Sequence, residues 1–255
     1  MPLTLTPVNG IPLVHPGDNL SQQIASAIRS AQIELQDSDI MVITQKIVSK
    51  SENRFVNLNN VTASKEAVTI AAQTEKDPRF VELVLRESKS VLRKRPGTLI
   101  VEHKLGFICA NAGIDHSNVQ SLGGNSEDWV LLLPENPDES AQRIRHYLEN
   151  EFSKKVGVLI IDSHGRAWRM GAVGTAIGLS GMPGLIDLRG KPDLFGYELR
   201  VTLVAAADEL ASAASLMMGQ ADEFTPLIHV RGFPYPLRDG RIQELIRPKD
   251  LDLFR

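Results

Sequence analysis

The chain has 255 residues, of which 42% are hydrophobic and 23% charged, close to globular averages. That composition excludes a disordered chain, a collagen-like fibre and a disulfide-stapled miniprotein. With 28 Lys and Arg against 31 Asp and Glu, the net charge is −3, so no basic excess offers a footprint for nucleic acid. The single Cys109 cannot close an internal disulfide, MPLTLTPVNG lacks both the basic and the apolar parts of a leader, and no apolar run approaches the ~20 residues of a membrane helix. The expectation is a soluble, cytoplasmic α/β protein with no membrane partner.

Residues 2–8 alternate as a short strand, and Gly10, Pro12, Pro16 and Gly17 then interrupt the chain. Asp18 or Asn19 caps a helix in which Leu20, Ile24, Ile28 and Ile33 recur near helical spacing. Asp37 to Asp39 reads as a polar turn, and Ile40 to Ile43 as a strand running into Thr44, Gln45 and Lys46. Ser64 opens a helix that Asp77-Pro78 ends, and a second helix sets Phe80, Leu83, Val84 and Val91 on one stripe. Leu99 to Val101 and Phe107 to Cys109 read as paired strands, Gln120 to Asp128 as a mobile loop, and Ser140 to Phe152 as a helix. Val156 to Ile161 is an unbroken apolar strand, as in sheets covered on both faces, and it ends at Asp162. Glu198 to Ala206 predicts a strand, Asp208 to Met218 an Ala-rich helix, and Leu227 to Val230 a last strand before a Pro/Arg-rich tail. No repeat or linker divides residues 1–255, so one unit is expected, α/β or α+β, with two intertwined lobes as one arrangement of it.

Five stretches could carry chemistry. Asp162-Ser163, in IIDSHGR, places hard oxygen donors at the carboxyl end of a strand, where α/β sheets bind ligands; Asp-Ser-His-Gly is equally ordinary turn composition. NAGIDHSN (111–118) concentrates Asn111, Asp115, His116, Ser117 and Asn118; Asp115 and Asn118 could ligate a metal or touch a nucleotide, or the loop could simply cap its own backbone. In TQKIVSK, Lys46 and Lys50 beside Gln45 and Ser49 could hold phosphate oxygens, or they could protect a solvated strand edge. Gly171, Gly174, Gly178, Gly181 and Gly184 form a ladder that permits close backbone approach, and Arg166 and Arg169 just before it could neutralise a phosphoryl group or lie on the surface. MGQADEFTP (218–226) reads as a helix end capped by Gly219, followed by the oxygen-bearing Gln220, Asp222 and Glu223. Neither a Walker A nor a GxGxxG string is present, and one thiol gives no zinc signature.

Taken together and in order, GIPLV (10–14), QKIVSK (45–50), NAGIDHSN (111–118), DSHGRAWRMGAVGTAIG (162–178), DLFGYELRVT (193–202) and ADELASAASLMMGQ (207–220) resemble the coenzyme F-420-0 gamma-glutamyl ligase family over nearly the whole chain. The resemblance implies a two-lobed α/β fold that dimerises through interwoven lobes. It implies an enzyme that joins the lactyl carboxylate of the deazaflavin F-420-0 to the amine of L-glutamate, then adds γ-linked glutamates. GTP is consumed to GDP and phosphate, with Mg²⁺ or Mn²⁺ at two divalent sites and K⁺ as monovalent cation. It further implies that Ile11, Pro12, Leu13 and Val14 line the nucleotide site, that Gln45, Lys50 and Asn118 touch nucleotide, and that Met218, Gly219, Gln220, Ala221, Asp222, Glu223, Phe224 and Thr225 form its remaining wall. Asp115 and Asp162 would be the main metal ligands, with Ser163 and Gln220 at a second site, and Arg166 and Arg169 beside the reacting groups. The C-terminal reductase domain carried by some members is not expected in a chain ending at Arg255.

This agrees with elementary chemistry. A carboxylate must be activated before an amine can displace its oxygen, and phosphoryl transfer demands positioning and charge neutralisation more than covalent protein chemistry. Two alternatives share the same motifs: a related nucleotide- and metal-dependent ligase for another acid, and a non-catalytic protein that binds nucleotide or deazaflavin.

Overall fold

The computed structural model describes residues 2–119 and 122–253. In chain order the elements are β1 (Thr4–Pro7), α1 (Leu20–Ser30), β2 (Ile40–Thr44), α2 (Gln45–Ser51), β3 (Phe55–Asn57), α3 (Lys65–Thr74), α4 (Pro78–Arg86), β4 (Ser88–Arg95), β5 (Thr98–His103), β6 (Ile108–Ala110), β7 (Trp129–Leu131), α5 (Pro137–Phe152), β8 (Gly157–Arg166), β9 (Arg169–Ser180), β10 (Ile186–Asp187), β11 (Leu203–Val204), α6 (Ala206–Met218) and β12 (Leu227–Arg231). The mixed α/β class is as the sequence indicates.

A five-stranded sheet ordered β1-β12-β2-β8-β9 organises the chain, with β2 and β8 parallel. Its two central strands are apolar on both sides because both sides are covered. Met41, Ile43, Val158 and Ile160 pack with Ile24 and Ile28 of α1 and Ile144 and Leu148 of α5. Ile40, Val42, Leu159 and Ile161 pack with Leu210, Ala211 and Ala214 of α6. A third core joins Phe80, Val81 and Val84 of α4 to Leu99, Val101 and Cys109 of the sheet β4-β5-β6. There Val101 faces Cys109 across the expected strand pair.

Local signals account for most boundaries. Asn19, not Asp18, caps α1 by accepting from Gln22 N at 3.2 Å; Asp18 takes the His15 N–H instead. Ser64 caps α3 as expected, and Asp77-Pro78 opens α4, α3 having already ended at Glu75 in a left-handed conformation with φ 54°.

Four expectations need correction. Gln45–Ser51 is a helix, not a strand edge, and it buries Gln45, Ile47, Val48 and Ser49. Val91 lies in β4, beyond α4. The stretch predicted as a strand from Glu198 to Ala206 keeps only Leu203–Val204; most of the remainder belongs to an exposed excursion turned at Asp193, whose N–H donates to Tyr197 O at 2.8 Å. The glycine ladder is largely β9. Of the loop expected over Gln120 to Asp128, Gln120 and Ser121 lie outside the described residues, and Ser126–Asp128 form a short 3-10 turn.

Two of the β9 glycines are there for packing. A Cβ on Gly174 would stand 2.3 Å from Ala211 O in α6, and one on Gly178 would stand 2.3 Å from Pro137 Cβ at the start of α5. A bulge near Ile177, where Ile160 pairs with Gly178 but Ile161 pairs with Ala176, lets one strand press glycine against both helices.

Candidate active site

β2 reaches its carboxyl end at Thr44, which pairs with Ile161 in the parallel register, while β8 runs on past it to Arg166. Open α/β sheets leave their crevice at such carboxyl ends. A cavity of about 740 Å³ opens there, walled by Pro12, Leu13 and Val14, by Lys46 and Lys50 of α2, by Asp115 and Asn118, by Asp162 and Ser163, and by Met218 to Thr225. Segments far apart in sequence are thus brought to one hollow.

Asp115 is the most perturbed carboxyl in it. The turn before it takes positive φ at Asn111, Ala112 and Gly113 (51°, 54° and 64°), a strained path. Asn111 Oδ1 holds the turn by accepting from Leu99 N, and Asp115 exchanges both backbone hydrogen bonds with Leu131 at 2.9 Å. Its side chain meets α2. Ser49 Oγ donates to Gln45 Oε1 at 2.8 Å, which fixes the amide so that Gln45 Nε2 donates to Asp115 Oδ2 at 2.7 Å. Lys46 Nζ stands 3.6 Å from Asp115 Oδ1 and donates to Ser117 Oγ at 3.1 Å. Burial, followed by the charge of Asp162, pushes Asp115 up to about 6 despite Lys46 and Gln45. Burial and neighbouring Lys46 lower the Lys50 ammonium, and Asp115 opposes them.

Asp162 and Ser163 leave β8 on opposite faces. Asp162 continues the face of Val158 and Ile160, while Ser163 turns to the α6 side and donates to Gln220 Oε1 at 2.9 Å. Gln220 Nε2 in turn donates to Ser215 Oγ of α6 at 3.0 Å. The loop after α6 is closed by its own contacts: Ala221 N–H donates to Glu223 Oε2, and Asn118 Nδ2 donates to Ala221 O at 3.2 Å. Gly219, at φ 76°, lies directly under the Glu223 carboxylate, where a Cβ would come within 2.1 Å of its carbon.

Several expected residues stand elsewhere. Ile11 is buried in the core below the loop that supplies Pro12 to Val14. Gln45 is fully buried and reaches the cavity only through Asp115. Arg166 and Arg169 pair with each other at the exposed far end of the β8–β9 hairpin, where Arg166 donates to Met170 O. His116 turns away to stack on Phe80, ring centroids 5.3 Å apart. Cys109 is buried, and burial pushes its thiol up to about 12, so it is inert.

Two further side chains belong to the hollow: Lys46, which the sequence already offered as a phosphate holder, and His164, which sequence reasoning did not select. Lys46 neutralises Asp115, and its four-residue spacing from Lys50 signalled a shared helix face. His164 lies two positions after Asp162, and alternation along a strand puts both on one face.

Among the described residues no group of three or more His, Cys, Asp and Glu stands together as a metal cage. The donor set nevertheless fits hard cations: two carboxylates, a hydroxyl and an amide oxygen. Burial first, and the charge of Asp162 second, keep the Asp115 carboxyl above its ordinary value, and a cation beside it would oppose both.

A family model described as F420-0:gamma-glutamyl ligase matches residues 10–232. A coenzyme F420:L-glutamate ligase of Methanothermobacter thermautotrophicus is 44% identical over 257 residues, 100% of each chain. One from Methanocaldococcus jannaschii is 45% identical over 237 residues, 93% of this chain and 90% of its own. One from Archaeoglobus fulgidus is 39% identical over 255 residues, 100% of this chain and 97% of its own.

Proposed function

The chain belongs to the F420-0:gamma-glutamyl ligase family, and on that premise we propose that it joins L-glutamate to the deazaflavin F-420-0 at the expense of GTP. A carboxylate oxygen of the precursor attacks the γ-phosphorus, the bond to GDP breaks, and an acyl phosphate forms. The glutamate amine then attacks the acyl carbon, loses a proton, and phosphate departs with the electron pair of the broken C–O bond. Further γ-linked glutamates follow by the same steps.

Lys50 and Lys46 hold the phosphate oxygens, the loop from Met218 to Thr225 encloses the nucleotide with Pro12 to Val14, and Asn118 braces that loop through Ala221. Asp115 and Asp162 would hold one divalent cation, Ser163 and Gln220 a second, with K⁺ as monovalent partner. Bound there, such cations supply the positive charge that the transferring phosphoryl group and the two carboxylates both require. Arg166 and Arg169 have no such role within one chain.

The observation that carries this reading is the convergence of both carboxylates and both lysines on one hollow where β2 ends beside β8. Incubation with GTP, Mn²⁺, L-glutamate and F-420-0, followed by mass spectrometry, tests it. The expected products are the glutamylated deazaflavin, GDP and phosphate. Phosphate release without an adduct would instead indicate a phosphohydrolase, and binding without turnover a carrier.

We further propose that two copies pair in solution. Trp168 and Met170 at the tip of the β8–β9 hairpin are 87% and 96% exposed, and Leu194 and Phe195 on the excursion turned at Asp193 are 90% and 91% exposed. Trp168 takes a left-handed φ of 64°, which Gly or Asn would adopt at less cost, so its side chain is what the turn retains. Bringing the arms of a second copy over the cavity would also give Arg166 and Arg169 something to reach. A concentration-dependent melting temperature supports the pair; one monomeric species that still ligates glutamate overturns it.

A further inference from the structure

Asp162 emerges from β8 with His164 on the same strand face, and His164 is 7% exposed. His164 Nε2 stands 3.0 Å from Asp162 Oδ2. The approach is not aligned as a hydrogen bond, and among the described residues that nitrogen has no other directed partner. Among the described residues no side-chain hydrogen bond holds the Asp162 carboxylate, and Asp162 lines the cavity.

The imidazole is held from behind by a column of rings. Phe107 lies 5.2 Å from His164, tilted by 47°, and stacks on His103 at 5.1 Å and 8°. His103 is itself fixed: its Nδ1 accepts from Leu105 N–H at 3.0 Å and its backbone N–H donates to Phe107 O at 2.9 Å. Burial, then neighbouring His164, Lys104, Arg54 and Lys89, lowers His103 to about 4, so this end of the column stays uncharged near neutrality. The column runs from the β5–β6 pair of one core to the functional end of the central sheet.

We propose that His164 is a positioning residue: its Nε2–H holds one oxygen of Asp162, and the ring column His103–Phe107–His164 fixes the direction in which the other oxygen is presented to a cation. A buried N–H without an aligned acceptor is unfavourable, and Oδ2 of Asp162 is the acceptor beside it. Carboxylates that ligate metals are themselves hydrogen-bonded by outer groups, and losing such a group costs 10- to 100-fold in metal affinity. This inference rests on the cation site proposed above.

Two substitutions separate holding from packing. His164→Gln keeps a side-chain N–H near the position of Nε2 but gives up the ring; His164→Phe keeps the ring against Phe107 and gives up the N–H. Mn²⁺ titration by electron paramagnetic resonance, without nucleotide, reads each. The expected result is Mn²⁺ affinity within a few-fold of the unsubstituted protein for His164→Gln and a loss of roughly 10- to 100-fold for His164→Phe. Melting of the metal-free proteins checks that both are folded; if His164→Phe is not, His164→Leu replaces it. Full affinity in His164→Phe, or equal losses in both folded variants, overturns the positioning role. Failure of the unsubstituted protein to bind Mn²⁺ would overturn the cation site itself, a different outcome.

Discussion

The two ends of β2 and β8 treat carboxylates in opposite ways. At the amino end, Asp39 accepts from Arg231 Nε at 2.9 Å and Nη2 at 2.7 Å and from Gln36 N–H at 2.8 Å, and His229 Nε2 lies 2.8 Å away. Burial alone would raise this carboxyl, but Arg231, His229 and Gln36 together hold it well below the usual range. At the carboxyl end, Asp115 has one amide and one lysine, and burial with a second carboxylate carries it to about 6. A satisfied carboxylate fastens β12 to the central strand. An under-neutralised pair is left wanting positive charge, and that want is the mark of a binding site.

The comparison is most easily broken at its catalytic end. Asp162→Asn and Asp115→Asn should each abolish ligation, a loss on the order of several kcal/mol of transition-state stabilisation, with circular dichroism unchanged. Ordinary turnover of either variant in saturating Mn²⁺ would remove the cation assignment. At the other end, Asp39→Ala leaves Arg231 and His229 without their acceptor and should cost ~3–5 kcal/mol in urea unfolding, while activity per folded molecule persists. Unchanged stability would make Asp39 no different in kind from the site.

A sharper test uses sign. Folding raises Asp115 from 3.8 to about 6, so between those values the native protein keeps a proton that the unfolded chain releases. Its contribution therefore falls as pH rises through that window, and above it the ionised group is a net cost. In metal-free protein near neutral pH, Asp115→Asn should accordingly raise stability, on the order of 1–3 kcal/mol, with the gain vanishing toward about pH 4. For Asp39 the sign is reversed: its contribution is full above the usual carboxylate value and is lost as pH falls. Thermal melts across pH distinguish the two; a destabilised Asp115→Asn at neutral pH would contradict the contrast. A last effect, on binding and not on stability, is expected at Lys50→Ala, which should weaken GTP binding by ~1.5–3 kcal/mol in calorimetry and leave F-420-0 binding largely intact.

Much of this was legible in the sequence, for reasons that differ by region. The run Val156 to Ile161 announced a doubly covered strand because nothing polar interrupts it, and Asp162 after it marked the crevice, although β8 runs on to Arg166. Gln45–Ser51 was misread because a seven-residue helix with Ile47 and Val48 inside carries too little periodicity to oppose its β-branched residues. β9 was hidden because Gly174 and Gly178 answer to Ala211 and Pro137, contacts that no local pattern encodes. Within the site, Asp115, Lys46, Lys50 and the stretch after Met218 were flagged by residue type and spacing, and the roles of Asp115, Lys50 and the loop from Met218 to Thr225 came through the family resemblance. His164 was within reach of strand spacing alone, and the mutual placement of the carboxylates required the fold.

The exposed turn at Trp168 has an optical consequence. The chain contains two tryptophans, and they sit in unlike places. Trp129 donates its indole N–H to Gly123 O at 2.8 Å and meets Phe55 edge-on, centroids 6.5 Å apart. Trp168 stands in water at the end of a hairpin arm. Emission from the free chain should therefore hold a red-shifted component that iodide quenches and a component it reaches less well. Any copy or ligand that covers the arm would erase the first and spare the second, so the protein carries its own built-in reporter of what its hairpin touches.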